Sequence, residues 1–358
     1  MEVDSTVNGN DDAACKDLPS GGINHIDSTP HASVPTGTAN QAGSSFSPLP
    51  DATTYEEQLS KMEGRDLAVA DKEFAIARLR DLNYYRLRGY WLTLERDDSF
   101  VEGASFDDVW EIYQLDRELR MWLWRAIAPI EIKLRTQFAY HFAHLCGAGA
   151  YLDAENYRSR SRFEKALSNF ERERDRSRDQ GVPCVVHNMA KYGKLPVWAA
   201  VECIPLGTLS MLYGNLDPST GANEGSKGVI VAVADAFGTK SYYLKSWVHH
   251  LTTVRNIAAH HDRFYNRVMA ICPSLLKRDE RCIRRRDANK QFPTFLVIRR
   301  IYEKSWPEEW ESLKSELASC IDRHPPRRPL ADGLSEGLAG RPRHRVASAL
   351  LPRWLVLE

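Results

Sequence analysis

The chain has 358 residues, with 48 Lys and Arg against 48 Asp and Glu; this balance excludes a generally basic nucleic-acid binder and leaves any such contact to a local patch. Its seven cysteines are odd in number, form no CxxC pair and show no Cys/His ligand spacing, which excludes a disulfide framework and a structural zinc. Reduced thiols in a cytoplasmic protein are expected, with no cofactor and no metal.

Residues 1–54 are rich in Gly, Ser, Thr, Asn and Pro, and their first fifty positions hold one base, Lys16, against six acids. Such a segment buries too little apolar surface to offset its ordering entropy, so a disordered acidic head is expected. It also lacks the positive start and apolar stretch of a secretory signal. Residues 323–358 form a Pro/Arg-rich tail in which proline and glycine break any helix. Between them, residues 55–322 are long enough for one well-buried domain.

Residues 55–82 carry Leu59, Met62, Phe74, Leu79 and Leu82 among charges and predict a short helix, followed by a tight aromatic turn at Gly89 within NYYRLRGYW (83–91). Over 105–145, apolar residues recur at steps of three and four, with Ser105, Asp107 and Asp108 placed to cap a helix and face its dipole. A long amphipathic helix follows, kinked near Pro129. The segment FERERDRSRDQ (170–180) predicts an ion-paired, solvated face. Residues 195–213 are apolar enough to suggest a membrane span, yet Pro196, Glu202 and Pro205 make a broken, buried element the better reading, and residues 227–237 are similar. No alternating strand pattern occurs, so the body is expected to be all-α, with no membrane association.

Polar and titratable residues crowd one segment, LKSWVHHLTTVRNIAAHHDRFYNRVM (244–269). Read as a single helix, it puts Trp247, Leu251, Val254, Ala258 and His261 on a core stripe. His249, Asn256, His260 and Arg263 gather on an opposite arc of roughly 60°, with Arg255 and Asp262 on the flank. That outward face offers acid/base and anion-binding groups to a cleft or a partner. Further on, KRDERCIRRRDANK (277–290) supplies Lys277, Arg278, Arg281, Arg284, Arg285 and Arg286 as a candidate RNA-binding patch.

Arg255-Asn256-Ile257-Ala258-Ala259-His260 matches the R-N-x-x-x-H signature of HEPN ribonucleases. NYYRLRGYW (83–91), YQLDRELR (113–120), IEIKLR (130–135), LPVWAAVECIPLGTLSMLYGNL (195–216) and SWVHHLTTVRNIAAHHDRFYNR (246–267) resemble, in order and spacing, the Abi family of abortive-infection proteins. The resemblance covers about residues 70–270. It implies an all-helical HEPN-like bundle, an antiviral toxin acting as a metal-independent endoribonuclease on an RNA substrate, a homodimer, and restraint by an RNA or protein antitoxin. Cleavage by the RNA's own 2′-OH needs a proton carrier near neutrality and a cation on the phosphate, which suits His260 and Arg255 respectively, with Asn256 orienting one of them. Arg255 lies about 140° round an ideal helix from His260, an offset that two copies facing across a two-fold axis relieve.

The remaining candidates carry structural alternatives. His261 is expected to be a core histidine. His249 is either a supporting or RNA-contacting group or simply exposed, and Arg263 contacts phosphate or closes a helix-end salt bridge. Glu131 and Arg135, four apart, either form a structural ion pair, the expected role, or brace the active helix in support of the site, and Tyr84, Tyr85, Tyr90 and Trp91 are expected to close a core rather than stack on bases. Two other functions stay open. One is a non-catalytic RNA- or partner-binding protein. The other is an HD-type metal-dependent phosphohydrolase built on His261-Asp262, with His141, His144 or His187 completing the metal shell, which EDTA would inactivate.

Overall fold

The computed structural model describes residues 49–324; the acidic head before residue 49 and the tail after residue 324 lie outside the described residues. The fold is all-α, as expected. In chain order come α1 (Tyr55–Glu63), α2 (Lys72–Asp81), α3 (Tyr84–Trp91), the strands β1 (Glu95–Arg96) and β2 (Ser99–Phe100), and the long α4 (Phe106–Cys146). Then follow α5 (Arg160–Asp179), α6 (Pro183–Tyr192), α7 (Val197–Cys203), α8 (Leu206–Asn215), α9 (Val229–Ala236) and α10 (Ser241–Ala259). The last three are α11 (Lys277–Glu280), α12 (Phe292–Ser305) and α13 (Pro307–Arg323).

Local chemistry accounts for the starts. Thr54 and Glu57 form a reciprocal capping box on α1, as do Ser105 and Asp108 on α4, while Asp71 and Asn83 accept backbone N–H groups at the starts of α2 and α3. Each such cap contributes about 1 kcal/mol. The strands form a two-residue hairpin, Glu95 opposite Phe100 and Arg96 opposite Ser99, turned by Asp97 and Asp98 at φ 51° and 62°. Two successive positive-φ residues give the turn whose twist suits a hairpin.

α4 organises the molecule. Its 41 residues span about 60 Å. The apolar positions predicted to face inward are buried from Val109 to Phe142; only the last, Leu145, is half-buried. The helix runs unbroken through Pro129. Its N-terminal part packs with α1, α2, α3 and the hairpin in one cluster, around Met62, Leu87, Tyr90, Trp91 and Phe106. The rest packs with α5, α7, α8, α9, α10, α12 and α13 in a larger core around Phe138, Phe142, Tyr213, Val254 and Phe295. Fully burying each such side chain contributes about 1.5–3 kcal/mol before entropy is counted.

Several expectations change. Residues 55–82 hold two helices rather than one. Gly89 makes no turn but lies within α3, where a Cβ would stand 2.9 Å from Arg263 Nε; the glycine serves close packing. The segment 195–213 divides into α7 and α8 at Ile204-Pro205, both largely buried. Charges along 170–180 pair as expected, Arg174 with Asp175 at 3.0 Å and Arg178 with Asp175 at 3.6 Å.

The largest correction concerns 244–269. The helix stops at Ala259, with His260 as its C-cap and His261 left-handed at φ 58°. The N–H of His261 donates to Ala258 O at 3.3 Å and that of Asp262 to Ile257 O at 2.9 Å, the two bonds of a Schellman ending. Glycine usually takes that left-handed position. With histidine there, the sequence carries no stop signal, and the apolar period runs on past the true end of the helix. His261 is exposed, not a core histidine.

At the far end, α13 returns to α4. Trp122 Nε1 donates to Leu313 O at 2.9 Å, and Arg323 pairs with Glu118 at 2.5 Å. His324 sits between two carboxylates, Nδ1 at 2.9 Å from Glu111 and Nε2 at 3.0 Å from Glu118, so both nitrogens donate only when the ring is protonated. Burial alone lowers its pKa, but the two glutamates outweigh that and raise it above the ordinary 6.5. Its stabilising contribution is therefore complete below the unfolded value and is lost as pH rises through the folded one. His324→Gln is expected to lower the melting temperature by roughly 2–4 °C at about pH 5.5. The difference should shrink towards about pH 8.5, as the wild-type ring gives up its proton. Differential scanning calorimetry at both values checks this, and a pH-independent difference would refute it.

Candidate functional site

The last turn of α10 carries the candidate residues. Its inner face is fixed by Trp247, Leu251, Val254, Ile257 and Ala258, all buried against α4, α8, α9 and α12. Arg255 lies half-buried at the edge, while Asn256 and His260 are exposed. Asn256 and His260 are one turn apart, joined by the His260 N–H donating to Asn256 O at 2.9 Å, so their side chains are neighbours.

α4 positions Arg255. Its guanidinium carbon lies 5.2 Å from the Trp124 ring centre, and Nε stands 3.5 Å from Glu131 Oε2. The approach to Glu131 is an ion pair without a hydrogen bond, and this buried N–H has no hydrogen-bond partner among the described residues. Nη1 approaches Asn256 Oδ1 at 3.5 Å. Glu131 is more tightly held by Arg135 Nη2, at 2.5 Å. Arg135 Nη1 in turn donates to the carbonyl oxygens of Val201 and Ile204 at the end of α7. Glu131 and Arg135 thus form an ion pair that braces α7, α4 and Arg255 in one line.

The segment after α10 is held from beneath by a buried charge. Asp116 of α4 is fully buried and accepts from the backbone N–H of Phe264 at 3.1 Å and of Tyr265 at 2.6 Å. It also accepts from Tyr90 OH at 2.8 Å and pairs with the buried Arg120. Burial pushes its carboxyl pKa up, and the donors around it oppose that shift. Burial, reinforced by the Asp116 charge, likewise raises the Tyr90 phenol. Gln291 Nε2 donates to Phe264 O at 2.9 Å, and Arg86 Nη1 to His261 O at 2.6 Å. The stretches around Tyr90, Asp116 and Phe264, far apart in the chain, meet in this network.

Other candidates fall elsewhere. Arg263 turns under α3, with Nη1 donating to Tyr265 O at 2.9 Å, and burial lowers its pKa; the predicted common arc with Asn256 and His260 is lost because the helix has ended. His249 is exposed on α10, eleven residues before His260 and so about 16 Å away along the axis. The core histidine of this segment is His250, fully buried, with Nδ1 2.6 Å from Ile271 O and Nε2 2.9 Å from Thr294 Oγ1; burial takes its pKa down to about 4. Of the aromatic cluster, Tyr90 and Trp91 are buried and Tyr84 half-buried, whereas Tyr85 is exposed.

Sequence reasoning missed Asp116, Arg120, Trp124 and His250. A signal existed for the first two, an opposite-charge pair four residues apart inside the apolar stripe of α4.

The basic run follows the length of α10. The chain after α10 doubles back along it, with Ile271 O at His250 and Ser274 O accepting from Trp247 Nε1 at 2.7 Å, and α11 begins three residues later. The run then returns to the His260 end, where Asn289 O accepts from Met269 N at 2.8 Å and Lys290 Nζ donates to Asn266 Oδ1 at 3.0 Å. Lys277, Arg278, Arg281, Arg284 and Arg285 are exposed. The side chain of Arg286 lies outside what is described. Asp279 turns inward to Arg300 at 2.5 Å, taking negative charge off the surface.

His261 and Asp262 are exposed beyond the helix, Asp262 lying 3.8 Å from Arg267. Among the described residues no group of three or more His, Cys, Asp or Glu side chains is arranged to hold a metal, so the HD dyad finds no completing ligands there. Nor is any helix among them long and apolar enough to cross a membrane. No curated protein and no solved structure matches the chain. The family described as Abi-like protein matches residues 77–266, which contain the buried Asp116 network together with Arg255, Asn256 and His260. That match spans more than half of the chain, and the protein belongs to the Abi-like family of abortive-infection proteins.

Proposed function

We propose that the protein is a metal-independent endoribonuclease of the HEPN type, with Arg255, Asn256 and His260 as its reactive group. The observation that carries this reading is the state of Arg255. Its guanidinium is backed by Trp124 and Glu131, yet keeps a buried N–H without a hydrogen-bond partner, and beside it stand the exposed side chains of Asn256 and His260. Arg255 holds the scissile phosphate as negative charge develops on it. His260 takes the proton of the 2′-OH as that oxygen attacks phosphorus. The bond to the 5′-oxygen breaks, and the departing oxygen receives a proton, leaving a 2′,3′-cyclic phosphate and a 5′-hydroxyl. Asn256 orients the phosphate or the imidazole. The exposed cations Lys277, Arg278, Arg281, Arg284 and Arg285 extend the electrostatic footprint for RNA, a role to which Arg286 also belongs by sequence.

A second copy completes the site in this reading. Arg255 and His260 diverge around α10, and the face of α4 beside Glu131 exposes Met121 (63 %), Trp124 (43 %) and Ile132 (63 %) at helical spacing. Met121→Glu/Ile132→Glu is expected to convert a dimer to a monomer in sedimentation velocity and to lower cleavage while leaving the melting temperature within about 2 °C. An unchanged sedimentation coefficient would remove the dimer.

The ribonuclease reading is tested by inducing wild type and the Arg255→Ala/His260→Ala variant in a bacterial host, following growth and total RNA, and repeating cleavage in vitro with EDTA. Growth arrest with EDTA-resistant cleavage by wild type alone supports it. Intact RNA with equal growth of both strains would favour a protein that binds without cutting, and activity lost to EDTA would favour metal-dependent hydrolysis.

A further inference from the structure

A cavity of about 380 Å³ lies at the opposite end of α10, where its first turn meets α11 and the end of α12. Lys240 and His260 are twenty residues apart, about 30 Å along the helix, so this space is separate from the group described above. Its walls include Lys240, Arg278 and Lys304, together with Tyr243 and Leu276.

The charges around it do not balance. Of the lining acids, Asp235 is paired with Lys227, and Glu303 is paired with Arg299 at 2.6 Å and Arg300 at 2.7 Å. Arg300, also on the wall, is engaged by Glu303 and by Asp279 at 2.5 Å. Lys240 just before α10, Arg278 of α11 and Lys304 of α12 are exposed at the rim of the cavity and have no ion-pair partner among the described residues. Three unpaired cations around one concavity, with the nearby carboxylates already engaged, make a site for an anion of more than one charge.

The shape narrows the class. Gly238, at φ 63°, lets the Lys304 stem cross against the backbone; a Cβ there would stand 3.1 Å from Lys304 Cβ and Cγ, so both its torsion and its missing side chain are used. Tyr243 is half-buried and backed by Trp247, ring centres 5.9 Å apart, which gives the cavity a firm aromatic wall. Polyvalent negative charge joined to a flat ring, in a volume of this size, describes a nucleotide. We propose that the cavity bounded by Lys240, Tyr243, Arg278 and Lys304 binds a nucleotide phosphate, free or within an RNA strand, with the base against Tyr243. The inference does not depend on the protein cleaving RNA.

The test is isothermal titration calorimetry of the full chain with ATP, with GTP, and with a 5′-phosphorylated RNA tetranucleotide whose 2′-O-methyl groups prevent cleavage. At least one probe is expected to bind with Kd below about 100 μM. Lys240→Glu/Lys304→Glu is expected to weaken it by more than about tenfold with the melting temperature preserved. Neither substituted residue belongs to the exposed basic run, so loss in this variant reports on the cavity. Saturation by a mononucleotide identifies a free nucleotide, and binding of the tetranucleotide alone identifies an RNA strand. No binding of any probe at millimolar concentration, or equal affinity in wild type and variant, overturns the proposal.

Discussion

Replacing His260 by alanine is expected to slow RNA cleavage by on the order of 10²–10⁴-fold, the contribution of a positioned proton carrier. The side chain is exposed and follows the end of α10, so the melting temperature should stay within about 2 °C of wild type. Arg255→Ala is expected to lose a comparable factor, on the order of 10²–10³, as for other donors aimed at developing charge. Arg255→Lys should not restore it, because an ammonium cannot keep both the Trp124 contact and a forked grip on phosphate. Single-turnover cleavage of a labelled RNA in EDTA, with enzyme in excess, measures all three variants. Undiminished rates in His260→Ala would remove that residue from the chemistry, and full activity in Arg255→Lys would reduce Arg255 to a point charge.

Asp116→Ala is expected to have the largest effect on stability. The substitution leaves the buried guanidinium of Arg120 without its counter-charge and removes the acceptor for the N–H groups of Phe264 and Tyr265 and for the Tyr90 hydroxyl. Breaking a buried pair from one side costs on the order of 3–5 kcal/mol. For a body of this size the melting temperature should fall by more than about 8 °C. Circular dichroism melts check this, and a fall of less than about 2 °C would show that the network contributes nothing. Asp116→Asn, which keeps an acceptor for the backbone but loses the charge, should fall between the two. Because the same carboxylate anchors the stretch just after His260, hydrogen exchange at Phe264 and Tyr265 should rise in either variant, a change that a remote loss of packing would not localise there.

The fold class, the course of α4 and the place of the polar cluster are legible in the amino-acid order alone. Apolar residues from Val109 to Phe142 recur at steps of three and four, and Ser105 with Asp108 marks the start, so both the helix and its buried face follow from local rules. Arg255, Asn256 and His260 stood out for a related reason: polar groups on the outward side of an amphipathic helix are conspicuous against its period. Tertiary structure decided what those groups meet. Helix periodicity cannot tell that α10 ends at Ala259, because the ending depends on His261 taking a left-handed conformation held by bonds to Ala258 and Ile257 and by Arg86 reaching across from α3. That one ending moves His261 into solvent and Arg263 under α3, and it undoes the predicted arc. Likewise, nothing local in YQLDRELR says whether Asp116 faces water or the core. It faces the core because two backbone N–H groups about 150 residues away need an acceptor there, and a buried charge is tolerated only where such long-range donors converge on it.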